Sequence, residues 1–311
     1  MKVVVLGSGS IGMLVAFNLI KQGHSTLLVT NRNEQANCIK EERLHLIRED
    51  GVNESIHVDV ESFSTLKGEE TIDLLIVTVK SYQVEQVIKA IQASKLSISS
   101  VLFLQNGMAH TELLPMITIP EVAVGVVEHG ALRINDYTVH HTGVGLIRWS
   151  YVRENNKMVE GVLKESTEGR FRTKYEQKWE PMLQHKLVVN ACINPLTALF
   201  GIRNGELVQN SHYNMLLRQV FDEIMKVIDL GNAGQMWEYV CNISEKTGAN
   251  RSSMLSDLEN KRKTEIDSIV GYLLRKAAKK QLNTPILVFL YEAIKGKEKE
   301  YMLGEANVCQ S

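Results

Sequence analysis

Lys186, Asn190 and Asn194 stand four residues apart inside the otherwise apolar stretch KLVVNACINPL, residues 186–196. On an α-helix that spacing sets an ammonium and two carboxamides in one line along one face. A cation of this kind can stabilise a developing oxyanion and give it a proton, while amides hold the rest of a small polar molecule without burying further charge. Structural explanations stand beside the chemical one. Lys186 can snorkel from an apolar helix to water, and Asn194 ahead of Pro195 can be an N-cap followed by proline at the first helical position.

A second chemical signal opens the chain. GSGSIG (7–12) follows the apolar run KVVVL and precedes an amphipathic stretch that stops at KQGH, where Gly23 suits the position after a helix C-cap. In a dinucleotide fingerprint Gly7 permits the tight turn, Gly9 lets backbone approach a pyrophosphate, and Gly12 lets helix and strand pack closely. The helix start then offers amide donors and the positive end of its dipole. A glycine-rich turn without a ligand is the other reading of the same residues.

Sites that prefer NAD carry Asp or Glu at the end of the second strand, where it accepts from the ribose 2′-hydroxyl. Here that place reads VTNRNE, with Thr30, Asn31 and Arg32. A guanidinium can pair with a 2′-phosphate that a carboxylate would repel, so the expected cofactor is NADPH; a solvated Arg32 with Glu34 as ribose acceptor is the alternative. Lys80 ends the buried run IDLLIVTVK, and Asn106 follows LFLQ. Both fall at the carboxyl ends of strands, where doubly wound sheets bind ligands, although Asn106-Gly107 can equally be a plain turn.

These residues need a scaffold, and its pattern is visible. Apolar β-branched runs at 2–6, 25–30, 72–79, 100–104 and 122–127 alternate with helical stretches near 11–22, 82–94 and 111–116. Runs apolar on both faces predict a parallel sheet covered by helices. Residues 131–150 alternate instead, with turn signals at Asn135-Asp136 and Thr142-Gly143, and predict an antiparallel extension. Beyond about residue 175 the strand signal ends, and helices are expected near 177–200, 212–230, 234–247, 252–259, 264–281 and 285–295, with a polar tail that frays in part. The expected architecture is α/β followed by all-α, with domains 1–175 and 176–311.

Composition narrows the function classes. The 35 basic and 36 acidic residues balance, so there is no broad electrostatic footprint for nucleic acid or anionic membrane. Cys38, Cys192, Cys241 and Cys309 lack metal-ligand spacing and are read as free thiols, and His140-His141 shows no ligand geometry. With no signal-peptide pattern and no apolar run of bilayer-spanning length, a cytoplasmic protein acting on a small molecule is expected, as monomer or homodimer, without a metal.

Taken together, GSGSIG, LLIVTVKSYQV, LFLQNGM, KLVVNACINPLTALFGIRNGEL and RSSMLSDLENKRKTEID, with the spacing between them, closely resemble the ketopantoate reductase family over almost the whole chain. The second half discriminates, since many dehydrogenases share the first. The resemblance implies an N-terminal Rossmann-type doubly wound sheet, a helical C-terminal domain and an active site between them. It also implies NADPH-dependent reduction of 2-dehydropantoate to (R)-pantoate, a step of pantothenate and coenzyme A biosynthesis. Carried over residue by residue, it makes Lys186 and Glu265 catalytic and makes Asn106, Asn190, Asn194, Asn204 and Ser253 substrate-binding. Gly7, Ser8, Gly9, Ser10, Ile11, Gly12, Arg32, Lys80, Asn106 and Glu265 become cofactor contacts.

Lys186 is expected to enter the reductive step protonated. Partial burial weakens its hold on the proton, and a nearby Glu265 strengthens it. Ser252 or Ser253 could instead cap a helix, and Glu265 could be a carboxylate placed by a helix dipole. Reduction of another branched 2-keto acid, or a non-catalytic NADP(H)-binding sensor, are the competing functions.

Overall fold

The computed structural model describes residues 1–63, 71–164 and 169–308, with side chains through residue 300. Cys309, read above as a free thiol, and the end of the tail lie outside the described residues. The chain divides into two compact units, one of residues 1–105 and 113–182, the other of 106–112 and 183–311.

The first unit contains strands β1 (Lys2–Leu6), β2 (Ser25–Thr30), β3 (Leu44–Ile47), β4 (Asn53–Ile56), β5 (Asp59–Ser62), β6 (Thr71–Val77), β7 (Ser97–Phe103), β8 (Glu121–Val127), β9 (Gly130–Arg133), β10 (Thr138–Gly143), β11 (Leu146–Arg153) and β12 (Arg172–Tyr175). Its helices are α1 (Ser10–Lys21), α2 (Asn33–Glu42), α3 (Val84–Ala93) and α4 (Met158–Val162). The main sheet has the order β12-β11-β8-β7-β6-β1-β2-β5, and a smaller one runs β4-β3-β10-β9.

β1 lies between β2 and β6, parallel to both. Val3, Val4 and Val5 are wholly buried, which is why this strand reads as a continuous apolar run rather than an alternation. The chain leaves β1 towards β2 on one side and later returns to β6 on the other. That reversal is a topological switch point, and the GSGSIG loop occupies it. α1 covers the sheet with Met13, Leu14 and Phe17 and ends as expected at Gly23 (φ +88°). Gly23 N–H donates to the Ile20 carbonyl and His24 N–H to that of Leu19, the Schellman pattern.

The antiparallel extension is present in β11, which runs against β8, and in β9 against β10. α2 and β3 to β5 carry no clear periodic signal. α2 buries only Gln35, Ala36 and Ile39, and the three strands are four residues each. A mostly polar helix and strands that short give periodicity too little length to register.

The second unit is helical: α5 (Trp179–Phe200), which crosses into it at Leu183, then α6 (Glu206–Gln209), α7 (Ser211–Val227), α8 (Ala233–Lys246), α9 (Ser253–Glu259), α10 (Ile266–Lys279) and α11 (Pro285–Val308). The division thus falls inside α5, later than the change of pattern near residue 175. Side chains fix many of the helix starts. Asn210, Asn232 and Ser252 accept from first-turn amides of α7, α8 and α9. Buried Glu223 accepts from Ile286 and Leu287 N–H at the start of α11, behind Pro285 at the first helical position. Among the described residues no helix is long and apolar enough to cross a membrane.

Candidate functional site

In the first unit the glycine loop is shaped by what a Cβ would hit. Gly7 has φ +113°, and a Cβ there would lie 2.8 Å from Val79 N and 2.9 Å from Thr78 Oγ1. A Cβ on Gly12 would fall 1.7 Å from the Gly7 carbonyl oxygen. Gly9 differs, because no heavy atom lies within 4 Å of its ideal Cβ position. Gly9 is also the N-cap of α1 and supplies no side-chain cap, so the first amides of that helix are left to a ligand or water. Backbone donors at an uncapped helix start, with open space above the central glycine, fit a dinucleotide pyrophosphate.

Neighbouring residues brace this loop. Thr78 Oγ1 donates to the carbonyls of Leu6 and Gly7 at 3.1 and 2.9 Å. Ser8 is buried, and its hydroxyl donates to Gln35 Oε1 at 2.7 Å. Ser10 and Ile11 begin α1. Arg32 stands at the N-cap of α2 with its guanidinium half-exposed, and Nη2 donates to Asp136 Oδ1 at 2.6 Å. Lys80 lies just past β6 and precedes a short 3-10 turn, Ser81–Gln83. Sequence reasoning missed Thr78, Gln35 and Asp136. For Asp136 the signal was the Asn-Asp turn, which marks a bend without showing what the bend reaches.

Asn106, Lys186, Asn190, Asn194, Asn204, Ser253 and Glu265 all belong to the second unit. Asn106 leaves β7, yet its contacts are with the start of α10. Its Nδ2 donates to Glu265 Oε2 at 3.0 Å, and its carbonyl accepts from Ser268 Oγ at 3.1 Å. Met108 N–H donates to the Ser268 carbonyl. Gly107 (φ +75°) permits this approach, since a Cβ there would lie 2.2 Å from the Ser268 carbonyl oxygen. The Asn-Gly pair is therefore a turn and also the means by which Asn106 reaches Glu265. Glu265 is buried at the N-cap of α10 and does not use its carboxylate as a cap. The helix dipole still favours an anion there.

Lys186, Asn190 and Asn194 sit on α5 at successive turns, the first two half-buried and Asn194 buried. α5 continues without a break through Pro195, so Asn194 is not the N-cap of a new helix. The proline removes only the donor that would have faced the Ala191 carbonyl. Asn194 Nδ2 instead approaches Ser253 Oγ at 3.5 Å. The two serines divide their tasks. Ser252 Oγ caps α9 by accepting from Leu255 N–H at 3.1 Å and accepts from Thr197 Oγ1 at 2.8 Å, while Ser253 is exposed.

Asn204 is brought to a different set of partners. Its Nδ2 donates to Thr247 Oγ1 at 2.9 Å and its carbonyl accepts from Ser244 Oγ. Its Oδ1 is buried with no hydrogen-bond partner among the described residues. His110, in the 106–112 segment, is buried, and desolvation pulls its pKa down to about 4.

A family model described as ketopantoate reductase PanE/ApbA matches residues 3–154, and one described as its C terminal matches residues 178–298. The chain is 38% identical over 300 residues to a 2-dehydropantoate 2-reductase of Bacillus subtilis (strain 168), covering 96% of this chain and 98% of that protein. It is 35% identical to the Listeria innocua protein of the same name, over 95% of this chain and 96% of that one. The crystal structure of a probable 2-dehydropantoate 2-reductase from B. subtilis matches with a TM-score of 0.84 at 37% identity, covering 96% of this chain and all of that one. A D-mandelate dehydrogenase solved with NADH and anilino(oxo)acetate matches with a TM-score of 0.88 over 97% of this chain and 99% of that one, but at 23% identity, a likeness of fold alone.

Proposed function

The chain belongs to the ketopantoate reductase family, and from that premise we propose that it reduces 2-dehydropantoate to (R)-pantoate with NADPH. The observation that carries this reading is the polar row of α5, Lys186, Asn190 and Asn194, on one unbroken helix with Asn194 turned to the Ser253 hydroxyl. A helix needing only to pack has no use for an ammonium and two amides in one row, the last of them buried.

The nucleotide is held by the backbone amides of Gly9, Ser10 and Ile11 at the α1 start, with Arg32 taking the 2′-phosphate and Lys80 the phosphate chain. When bound, the reduced nicotinamide supplies a hydride, two electrons and one hydrogen nucleus, to the keto carbon. Lys186 stabilises the negative charge that builds on the carbonyl oxygen and transfers a proton from Nζ to it, which completes the alcohol. Asn190, Asn194, Asn204 and Ser253 hold the carboxylate and hydroxyl of the substrate. Glu265, fixed by Asn106, supplies the anion that keeps an ammonium charged.

The place of action is the cytoplasm, as monomer or homodimer, in the supply of pantoate for pantothenate. The test is purified protein with a panel of 2-keto acids and both nicotinamide cofactors, followed by loss of reduced-nicotinamide absorbance. Turnover with 2-dehydropantoate, faster with NADPH than NADH, is expected. Turnover confined to another 2-keto acid would replace the substrate, and binding without any turnover would leave only a sensor.

A further inference from the structure

We propose that Asp136, brought beside Arg32 by the β9–β10 turn, sets how strongly the nucleotide site distinguishes 2′-phosphorylated from unphosphorylated adenosine nucleotides. This rests on the reading of GSGSIG as a dinucleotide loop and concerns selectivity rather than chemistry.

The residues ending and following β2, Thr30-Asn31-Arg32, include no carboxylate, and Glu34 lies beyond them in the first turn of α2. The fold supplies one from far along the chain. Arg32 Nη2 donates to Asp136 Oδ1 at 2.6 Å, and Arg133 Nη1 lies 3.8 Å from the same oxygen. The turn that delivers it is tightly built. Asn135 Oδ1 accepts from Tyr137 and Thr138 N–H at 3.0 and 2.7 Å, and Ile134 N–H donates to the Thr138 carbonyl. Gln35, only 3% exposed, then ties this turn to the glycine loop. Its Nε2 donates to the carbonyls of Ser8 and Asp136 at 3.1 and 3.0 Å, while its Oε1 accepts from Ser8 Oγ. One buried amide thus fixes the turn, and Asp136 with it, relative to the loop that holds the phosphates.

A carboxylate in this place acts in two directions. It neutralises the guanidinium that a 2′-phosphate needs, and it offers the acceptor that a ribose 2′-hydroxyl finds at the end of the second strand in NAD sites. Two arginines face one aspartate, so the local charge still favours a phosphate dianion. The Arg32 and Asp136 side chains are 49% and 29% exposed, and an ion pair that exposed is weak enough for a phosphate to displace the carboxylate. Asp136 therefore moderates a preference for the phosphorylated nucleotide that Arg32 and Arg133 create.

The experiment is calorimetric titration of the nucleotide-free full chain with 2′,5′-ADP and with 5′-AMP, which differ only in the 2′-phosphate. Asp136→Asn should tighten 2′,5′-ADP by about two- to fivefold and leave 5′-AMP unchanged or weaker, the range an exposed ion pair allows. Arg133→Ala should weaken 2′,5′-ADP alone. In an Arg32→Ala background the gain from Asp136→Asn should vanish, because the two residues act on one another. A ratio of affinities unmoved by Asp136→Asn, a gain that persists without Arg32, or equal weakening of both ligands from a dislodged turn each overturns the inference. If the native chain binds neither ligand, the dinucleotide reading falls and takes this inference with it. If both bind and only the ratio fails to move, the inference falls alone.

Discussion

The glycine loop of the first unit and the amide row of the second both present hydrogen-bonding groups, and they use opposite materials. The loop relies on backbone, and its shape is enforced by missing side chains: a Cβ on Gly12 would sit 1.7 Å from the Gly7 oxygen. The row relies on side chains from separated segments, with Asn194 of α5 turned to Ser253 of α9 and Asn106 turned to Glu265 at the start of α10. A site made of backbone is local and rigid, whereas a site made of side chains depends on how helices pack.

The sharpest way to break that comparison is to separate binding from chemistry. Lys186→Ala should lower kcat by about 10²–10⁴-fold, the range for losing a positioned proton donor, while NADPH affinity measured by fluorescence titration stays within about twofold, as befits a residue that binding does not use. An unchanged rate would remove Lys186 from the mechanism. Parallel loss of rate and nucleotide affinity would show that the two regions do not divide the work.

The loop itself offers a contrast between neighbouring glycines. Gly12→Ala should destabilise the chain by about 3 kcal/mol in denaturant unfolding, because a backbone oxygen stands where the methyl must go. Gly9→Ala meets no atom within 4 Å, so its stability cost should be about 1 kcal/mol or less, that of a poorer N-cap. Nucleotide affinity should nonetheless fall. Equal stability losses would mean that packing, and not ligand approach, explains both glycines.

Acid tests the second unit through His110. Its folded-state pKa, depressed to about 4 from 6.5, means the unfolded chain binds the proton more readily. Stability from this group is therefore complete above pH 6.5 and is lost as pH falls towards 4, by at most about 3 kcal/mol. His24 and His141 of the first unit are lowered too, chiefly by desolvation, so the whole chain's slope exceeds the share of one residue. His110→Leu should flatten part of the stability-against-pH curve between those limits. A curve parallel to that of the native chain would place the acid sensitivity elsewhere.

What the sequence discloses follows the same divide. The parallel sheet, α1 with its Gly23 terminus and the helical second half are legible because each rests on residues close in sequence. The interval of four in Lys186, Asn190 and Asn194 is legible for the same reason. Asn-Pro reads locally as an N-cap followed by the first helical position, yet α5 runs through Pro195, flanked by the buried Leu187, Val188, Ala191, Cys192 and Leu196. Tertiary packing outweighs one missing donor. Gln35 and Asp136 were invisible because their meaning lies in partners about a hundred residues away along the chain. Asn106 follows a strand of the first unit in sequence, and only its partners Glu265 and Ser268 group it with the second.

Ser252 and Ser253 give the finest test, since adjacent hydroxyls of one sequence stand in different surroundings. Ser252 accepts from Leu255 N–H and from Thr197 Oγ1, so Ser252→Ala should cost about 1 kcal/mol of stability, the worth of a helix cap, with little effect on KM. Ser253 is exposed, and its hydroxyl lies near Asn194 rather than in the cap. Ser253→Ala should leave the unfolding midpoint in place and raise KM for the keto acid by about fivefold, the equivalent of one hydrogen bond of about 1 kcal/mol. The reverse assignment, with Ser252→Ala acting on KM and Ser253→Ala on stability, would mean that the capping residue of α9 and its substrate contact have been exchanged. If both variants moved stability alone, the side-chain region would lose a contact to substrate, and the row on α5 would have to hold the keto acid without help from α9.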